Sequence, residues 1–364
     1  MLIKISAILL VGFLVFPLSY KEMLIKISAI LLVGFLALAY EAIQPPPPRT
    51  CGSPGGPPIT GPRIKLRDGR HLAYKEHGVP REVANKKIVF IHAFGSCKHD
   101  AVIALNLPQG LVEELGIYIV SFDRQGYGES DPDPHRTAKS IALDVEELAD
   151  NLGLGPKFYV IGYSMGGQSV WGCLKYIPHR LAGATLLAPV VNYWWPSFPS
   201  NLSTMAYKLQ PKQDQWAVRV FHYLPWLTYW WLSQKWFPTS SVVENNPAVF
   251  SPQDLQIISK MVPNSDIQSY VRQQGVSESI FRDGIVGFRT WEFDPLDLDN
   301  PFPNNESQVH LWHGDDDRLV PVILQRYIAQ TLPWIQYHEL KGAGHLFPHI
   351  QELPADIIKT QLLG

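Results

Sequence analysis

From Arg63 onward, apolar residues come in short bursts: Lys87-Ile88-Val89-Phe90-Ile91, Tyr118-Ile119-Val120-Ser121-Phe122, Phe158-Tyr159-Val160-Ile161, Ala184-Thr185-Leu186-Leu187 and Val309-His310-Leu311-Trp312. Runs this short, without polar alternation, predict strands buried on both faces, the pattern of a parallel sheet. Between the bursts the period changes. Ile141, Val145, Leu148 and Leu152 recur at helical spacing within Ser140 to Leu152, and Ser164 to Ile177 reads as a second helix. The order strand, helix, strand predicts an α/β fold with a mostly parallel, doubly wound sheet and helices on both faces. Ahead of it, Asp68-Gly69 between extended, alternating residues predicts a β-hairpin over Arg63 to Gly78.

The alternation stops between Val191 and Ser307. Eight of the chain's 11 Trp fall here, at positions 194, 195, 216, 226, 230, 231, 236 and 291, and no buried strand does. This predicts a helical cap inserted between two strands, on the loop side where open α/β sheets bind ligands. Trp194, Trp195 and Trp230 are the candidate substrate-binding residues, roofing an apolar cleft. The competing reading of any single Trp is packing inside the cap's own core.

The N-terminus has a different pattern. Met1 to Leu14 reads MLIKISAILLVGFL, and Met23 to Leu36 repeats it without a change, so the copy is a recent duplication. Each copy places one lysine, Lys4 or Lys26, before an apolar run, Ile5 to Tyr20 or Ile27 to Tyr40, in the form of a signal sequence. Each run is short of the ~20 residues of a comfortable bilayer crossing. Ala37-Leu38-Ala39 suits a signal peptidase, so cleavage competes with retention as an anchor. Either outcome predicts the endomembrane system or secretory pathway, with membrane association through this segment. The stretch from Gln44 to Pro58, rich in Pro and Gly, predicts a semi-rigid spacer. The expected organisation is therefore a hydrophobic segment over 1–44, a linker over 45–62, a catalytic core over 63–190 and 307–364, and a cap over 191–306.

Composition narrows the function. Hydrophobic residues at 46% and charged residues at 18% exclude a disordered chain, and a net charge of -2 gives no electrostatic case for nucleic acid. Three cysteines, Cys51, Cys97 and Cys173, are too scattered for a disulfide framework or a zinc site. No metal or cofactor is expected. Asn201-Leu202-Ser203 and Asn305-Glu306-Ser307 are glycosylation sequons that would suit a lumenal domain.

The chemistry is carried by three separated segments. Gly162-Tyr163-Ser164-Met165-Gly166 follows one strand directly and opens a helix, the context in which a sharp turn exposes the serine hydroxyl over the sheet edge. Serine is a weak nucleophile, so it needs a base within reach and an acid to orient that base. His313-Gly314-Asp315-Asp316-Asp317 and Gly342-Ala343-Gly344-His345 follow later strands, in the order Ser, Asp, His. Asp317 is chosen as the acid because the turn needs intervening residues before the carboxylate points back, which leaves Asp315 and Asp316 as solvated turn residues. His349 reads as structural. A tetrahedral oxyanion needs two backbone donors. The rule for this arrangement takes them from Met165 and from the loop His92-Ala93-Phe94-Gly95, where Phe94 is the candidate.

From about Arg63 to the end, the chain resembles the α/β-hydrolase superfamily: His92-Ala93-Phe94-Gly95, Phe122-Asp123-Arg124-Gln125-Gly126-Tyr127-Gly128, Gly162 to Gly166, Gly314 to Asp317 and Gly344-His345 stand in family order. More narrowly, stretches such as Asn192-Tyr193-Trp194-Trp195-Pro196 resemble a group of plant α/β-hydrolases with an N-terminal hydrophobic segment. The resemblance implies a serine hydrolase, with a carboxylesterase acting on a small apolar ester as the leading expectation. A small-molecule receptor that retains the triad, or a lyase or acyltransferase on the same scaffold, are the alternatives it leaves open. Serine at 164 separates the chain from relatives with an aspartate nucleophile, the epoxide hydrolases and haloalkane dehalogenases. Ala93 stands where the family usually has Gly. Should that position need a positive φ, alanine would cost ~1 kcal/mol and displace the Phe94 amide.

Overall fold

The computed structural model describes residues 19–363 apart from 245, 262–264 and 305. The chain divides into two units, Met1–Gln44 and Pro45–Gly364. In the first, helix α1 (Tyr20–Ile43) starts at a capping box in which Ser19 and Glu22 satisfy each other's backbone N–H. It contains the second copy of the duplication; the first lies outside the described residues. Because Glu22 and Lys26 are taken into the helix, its 24 residues exceed the apolar run read from sequence. Its length and composition are those of a membrane-crossing helix.

The second unit is built on eight strands: β1 (Arg63–Lys65), β2 (His71–Gly78), β3 (Lys86–Ile91), β4 (Ile117–Phe122), β5 (Phe158–Tyr163), β6 (Leu181–Leu187), β7 (Val309–Gly314) and β8 (Ile335–Leu340). They lie in the order β1-β2-β4-β3-β5-β6-β7-β8. The hairpin turns as Asp68-Gly69 predicts, with Lys65 opposite His71, and β2 pairs antiparallel with β4. From β4 to β8 every pairing is parallel.

The helices are α2 (Val102–Asn106), α3 (Gln109–Leu115), α4 (Ala138–Asn151), α5 (Met165–Tyr176), α6 (Ser200–Leu209), α7 (Lys212–Tyr223), α8 (Thr228–Ser233), α9 (Pro252–Lys260), α10 (Ser265–Arg272), α11 (Arg282–Phe288), α12 (Val322–Thr331) and α13 (Leu353–Leu363). Successive strand residues face opposite sides, so the sheet feeds two cores. Val89, Ile91, Val160 and Leu186 pack with Val145, Leu148 and Trp171 of α4 and α5. Ile88, Phe90, Ile161 and Leu187 pack with Ile357, Ile358 and Leu362 of α13. Between β6 and β7 the described residues form helices α6 to α11 and no strand.

The proline-rich stretch, expected to be a semi-rigid spacer, docks on the folded body. Cys51 is buried, and its N–H donates to Gln274 Oε1 at 3.0 Å. The Arg49 N–H donates to the Gln274 carbonyl at 3.0 Å, and the Thr60 N–H to the Glu129 carboxylate at 2.7 Å. Prolines deny this stretch a ladder, yet the N–H groups of Arg49, Cys51 and Thr60 find acceptors on the body, and the stretch belongs to the unit Pro45–Gly364.

Candidate active site

Ser164 lies between β5 and α5 with φ 56° and ψ −114°, a conformation that costs about 1–3 kcal/mol for a residue with a side chain. Two flanking glycines make the turn sterically feasible. A Cβ on Gly162 would stand 2.2 Å from the Gly166 carbonyl oxygen, and one on Gly166 would stand 2.1 Å from that of Ile91. The turn is pinned by the Ser164 N–H, which donates to Leu187 O at 2.8 Å, and by Ser164 O, which accepts from Gln168 and Val190.

The three segments that carry the candidate nucleophile, base and acid meet at the C-terminal ends of β5, β7 and β8. The Ser164 hydroxyl donates to His345 Nε2 at 3.0 Å, and His345 Nδ1–H donates to Asp317 Oδ2 at 2.7 Å. All three are buried. Asp317 is further fixed by the N–H groups of Leu319 and Val320, at 2.9 and 2.8 Å on Oδ1. Burial pushes its pKa up, but His345, His313 and the Val320 N–H outweigh that and hold it below the ordinary carboxylate value. For His345, burial opposes the charged form, while Asp317 and then Asp254 favour it, and the balance raises the imidazole pKa. Tyr163 stacks on the ring at 5.5 Å and its hydroxyl donates to the His345 carbonyl at 3.1 Å. Asp315 is not merely a solvated turn residue: its carboxylate accepts the Gly342 N–H at 2.6 Å, tying the acid loop to the histidine loop.

Phe94 and Met165 both border the space in front of Ser164. As the first residue of α5, Met165 has a backbone N–H without an acceptor in its own helix. Ala93 is not strained: the positive φ in this loop, 66°, falls on Gly95. The loop is braced from below. His92 Nδ1–H donates to Ala93 O at 2.8 Å, while Nε2 accepts the Arg124 N–H at 3.1 Å, which requires a neutral ring. Burial and the Arg124 charge hold the His92 pKa well below its ordinary value. Arg124 also donates to Ala93 O at 3.2 Å, and its guanidinium pairs with the buried Asp283 of α11, which Tyr127 and Arg136 join.

A cavity of about 110 Å³ opens onto Ser164, Phe94, Met165 and His345, walled by Tyr193, Val218, Phe221, Val243 and Phe288. No tryptophan lines it, which corrects the expected roles of Trp194, Trp195 and Trp230. Trp195 is buried against Phe198 and Trp291. Trp194 stacks on His222, and Trp230 packs against Trp231 and Trp236. The insertion borders the cavity through Tyr193, Val218, Phe221, Val243 and Phe288, with Gln210, Asp214 and Ser240 as its polar members. Among the described residues, no cluster of three or more His, Cys, Asp or Glu is arranged to hold a metal.

Sequence reasoning missed two carboxylates of the insertion that brace the site, Asp254 on the His345 N–H and Asp283 on Arg124, which holds the Phe94 loop. Ser251-Pro252-Gln253-Asp254 has the form of a helix start, and it is one, but a capping pattern does not reveal a long-range partner. Asn201 is exposed, whereas Asn305 lies outside the described residues.

Residues 88–359 match the model of the family described as "Alpha/beta hydrolase family". Among curated proteins, a putative carbamate hydrolase, RutD, from Caulobacter vibrioides is 23% identical over 284 residues, covering 77% of this chain and 90% of that protein. Among solved structures, a thermophilic esterase from Thermogutta terrifontis superposes with a TM-score of 0.53 at 19% identity, covering 83% of this chain and 98% of its own. The enol-lactonase from Burkholderia xenovorans LB400 gives 0.56 at 16% identity, covering 83% and 100%. These two likenesses are likenesses of fold.

Proposed function

The chain belongs to the alpha/beta hydrolase family, and on that premise we propose that it is a serine hydrolase of carboxylic esters. The observation that carries this reading is the unbroken relay from Ser164 through His345 to Asp317, at 3.0 and 2.7 Å. His345 takes the hydroxyl proton as Ser164 Oγ adds to the ester carbonyl, and the amides of Phe94 and Met165 receive the developing oxyanion. His345⁺, steadied by Asp317, then protonates the leaving alcohol, and the acyl group stays on Ser164. Water, deprotonated by the same imidazole, adds to the acyl-enzyme and releases the acid.

The cavity supports a compact, apolar acyl group. Its volume of about 110 Å³ is below the ~150 Å³ of an engineered apolar cavity that takes a benzene ring. We read α1 as a membrane segment, cleaved or retained, of a protein of the secretory pathway. The test of the reaction is turnover of p-nitrophenyl esters of increasing acyl length by the full chain in detergent and by Ser164→Ala. Turnover by the wild type that is lost in Ser164→Ala supports the reading, and equal rates overturn it.

A further inference from the structure

The proposed chemistry uses none of the insertion's tryptophans, and helix α7 shows where one of them, Trp216, points. Asp214, Val218 and Phe221 on its inner side line the Ser164 cavity. Lys212, Trp216, Arg219 and Tyr223, at i, i+4, i+7 and i+11, form its exposed outer face. Trp216 is 53% and Tyr223 60% exposed. The Arg219 guanidinium lies 5.2 Å from the rings of both Tyr207 and Trp216. With Trp194 and Lys208, these side chains border an open groove of about 620 Å³. Ring contacts extend the aromatic surface from Trp216 to Trp231, at 6.2 Å, then to Trp230 and on to Trp236, which is 80% exposed.

Among the described residues, the groove is lined by three cations, Lys208, Lys212 and Arg219, and by no acid. Between Ser197 and Val243 the cations are Lys208, Lys212, Arg219 and Lys235, and Asp214 is the sole acid. Asp214 is buried, with its carboxylate bonded to Ser240 and to the Ser241 N–H. Among the described residues, none of the four cations pairs with a carboxylate. A chain with a net charge of -2 thus places three cations beside the exposed rings of Trp216 and Tyr223.

We propose that this outer face of the insertion docks on an anionic lipid surface. Tryptophan and tyrosine present a flat apolar body with a polar tip, and lysine and arginine an apolar stem with a charged head, so together they suit the headgroup region. Trp216, Tyr223 and Trp236 lie at headgroup depth, while Lys208, Lys212 and Arg219 meet lipid phosphates. The same chain carries α1, whose length and composition suit a bilayer. Two copies of this face would oppose cation to cation, which disfavours self-association through it.

The test exploits the fact that Met1 to Gln44 contains no Trp. The full chain is reconstituted into phosphatidylcholine vesicles with and without phosphatidylserine, both carrying a doxyl-labelled phospholipid. Quenching of tryptophan fluorescence then reports the folded unit and not α1. Stronger quenching with phosphatidylserine is expected, most of it lost in Trp216→Ala/Trp236→Ala. In Lys208→Gln/Lys212→Gln/Arg219→Gln the phosphatidylserine-dependent docking constant read from the quenching should fall by roughly 10²-fold, about fivefold per cation. Thermal midpoint and turnover of a water-soluble ester, unchanged in both variants, establish that they are folded. Absent quenching, quenching indifferent to phosphatidylserine, or quenching retained in the tryptophan variant overturns the proposal. So does competition by inorganic phosphate, which would mark a soluble-anion site, or a wild-type dimer that dissociates in the tryptophan variant.

Discussion

Asp254 of the insertion accepts the backbone N–H of His345 at 3.0 Å, and its other carboxylate oxygen accepts that of Leu346 at 2.7 Å. Gln253 Oε1 takes the preceding N–H, that of Gly344, at 2.7 Å. A Cβ on Gly344 would stand 2.2 Å from the Asp254 carboxylate, so glycine is what lets the loop lie on the clamp. The insertion is therefore part of the frame that holds the imidazole.

Asp254→Asn keeps the size of the side chain but turns one acceptor into a donor facing an N–H. A displaced imidazole should lower kcat about 10- to 10²-fold with little change in KM. The Asp254 charge also helps raise the His345 pKa, so the acid limb of kcat/KM should move to lower pH in the variant. A purely structural role would lower the thermal midpoint and leave that limb where it was.

The cavity wall predicts chain-length selectivity. Val218 faces the Ser164 cavity from α7. Val218→Phe should fill part of the space, raising KM for longer acyl chains while sparing the acetyl ester, at a stability cost of about 1–3 kcal/mol. Steady-state kinetics across a p-nitrophenyl ester series reads this out, and a uniform loss at every length would mean that the acyl group lies elsewhere.

Much of this was legible in the sequence because its signals are local. Ser164 is announced by flanking glycines whose backbone closeness is dictated by the turn, and Asp317 and His345 by loops directly after strands. The tryptophans were misread for an equally physical reason. Composition reports that an insertion is aromatic, not which helix face a ring occupies, and in α7 the outward face took Trp216 while Val218 and Phe221 turned inward. The docked stretch from Pro45 to Pro62 was missed because its contacts with Glu129 and Gln274 are remote in sequence.

Among the described residues, Asp283 is the carboxylate that pairs with two buried guanidiniums, Arg124 and Arg136. Burial alone would raise its pKa, but the two arginines keep it below the ordinary value. Asp283→Asn leaves both cations uncompensated and should cost about 3–5 kcal/mol, measured by denaturant unfolding. The brace on Ala93 O loosens with it, so surviving enzyme should show a reduced kcat.

His310 gives the fold an acid-sensitive element. Burial, with His338 beside it at 3.0 Å, lowers its pKa from 6.5 to about 4. Between those values the unfolded chain binds the proton and the folded chain does not, so stability is lost as pH falls from about 6.5 to about 4. In His310→Gln, thermal midpoints recorded across that window should fall less steeply than in the wild type. Parallel curves would assign the acid sensitivity to other groups.

An activity-based fluorophosphonate probe followed by peptide mapping asks most directly whether Ser164 is an activated nucleophile. The expected result is one covalent adduct on Ser164, absent from Ser164→Ala and strongly slowed in His345→Ala. A folded wild-type chain that stays unlabelled, or a label that persists in Ser164→Ala, would contradict the serine hydrolase reading.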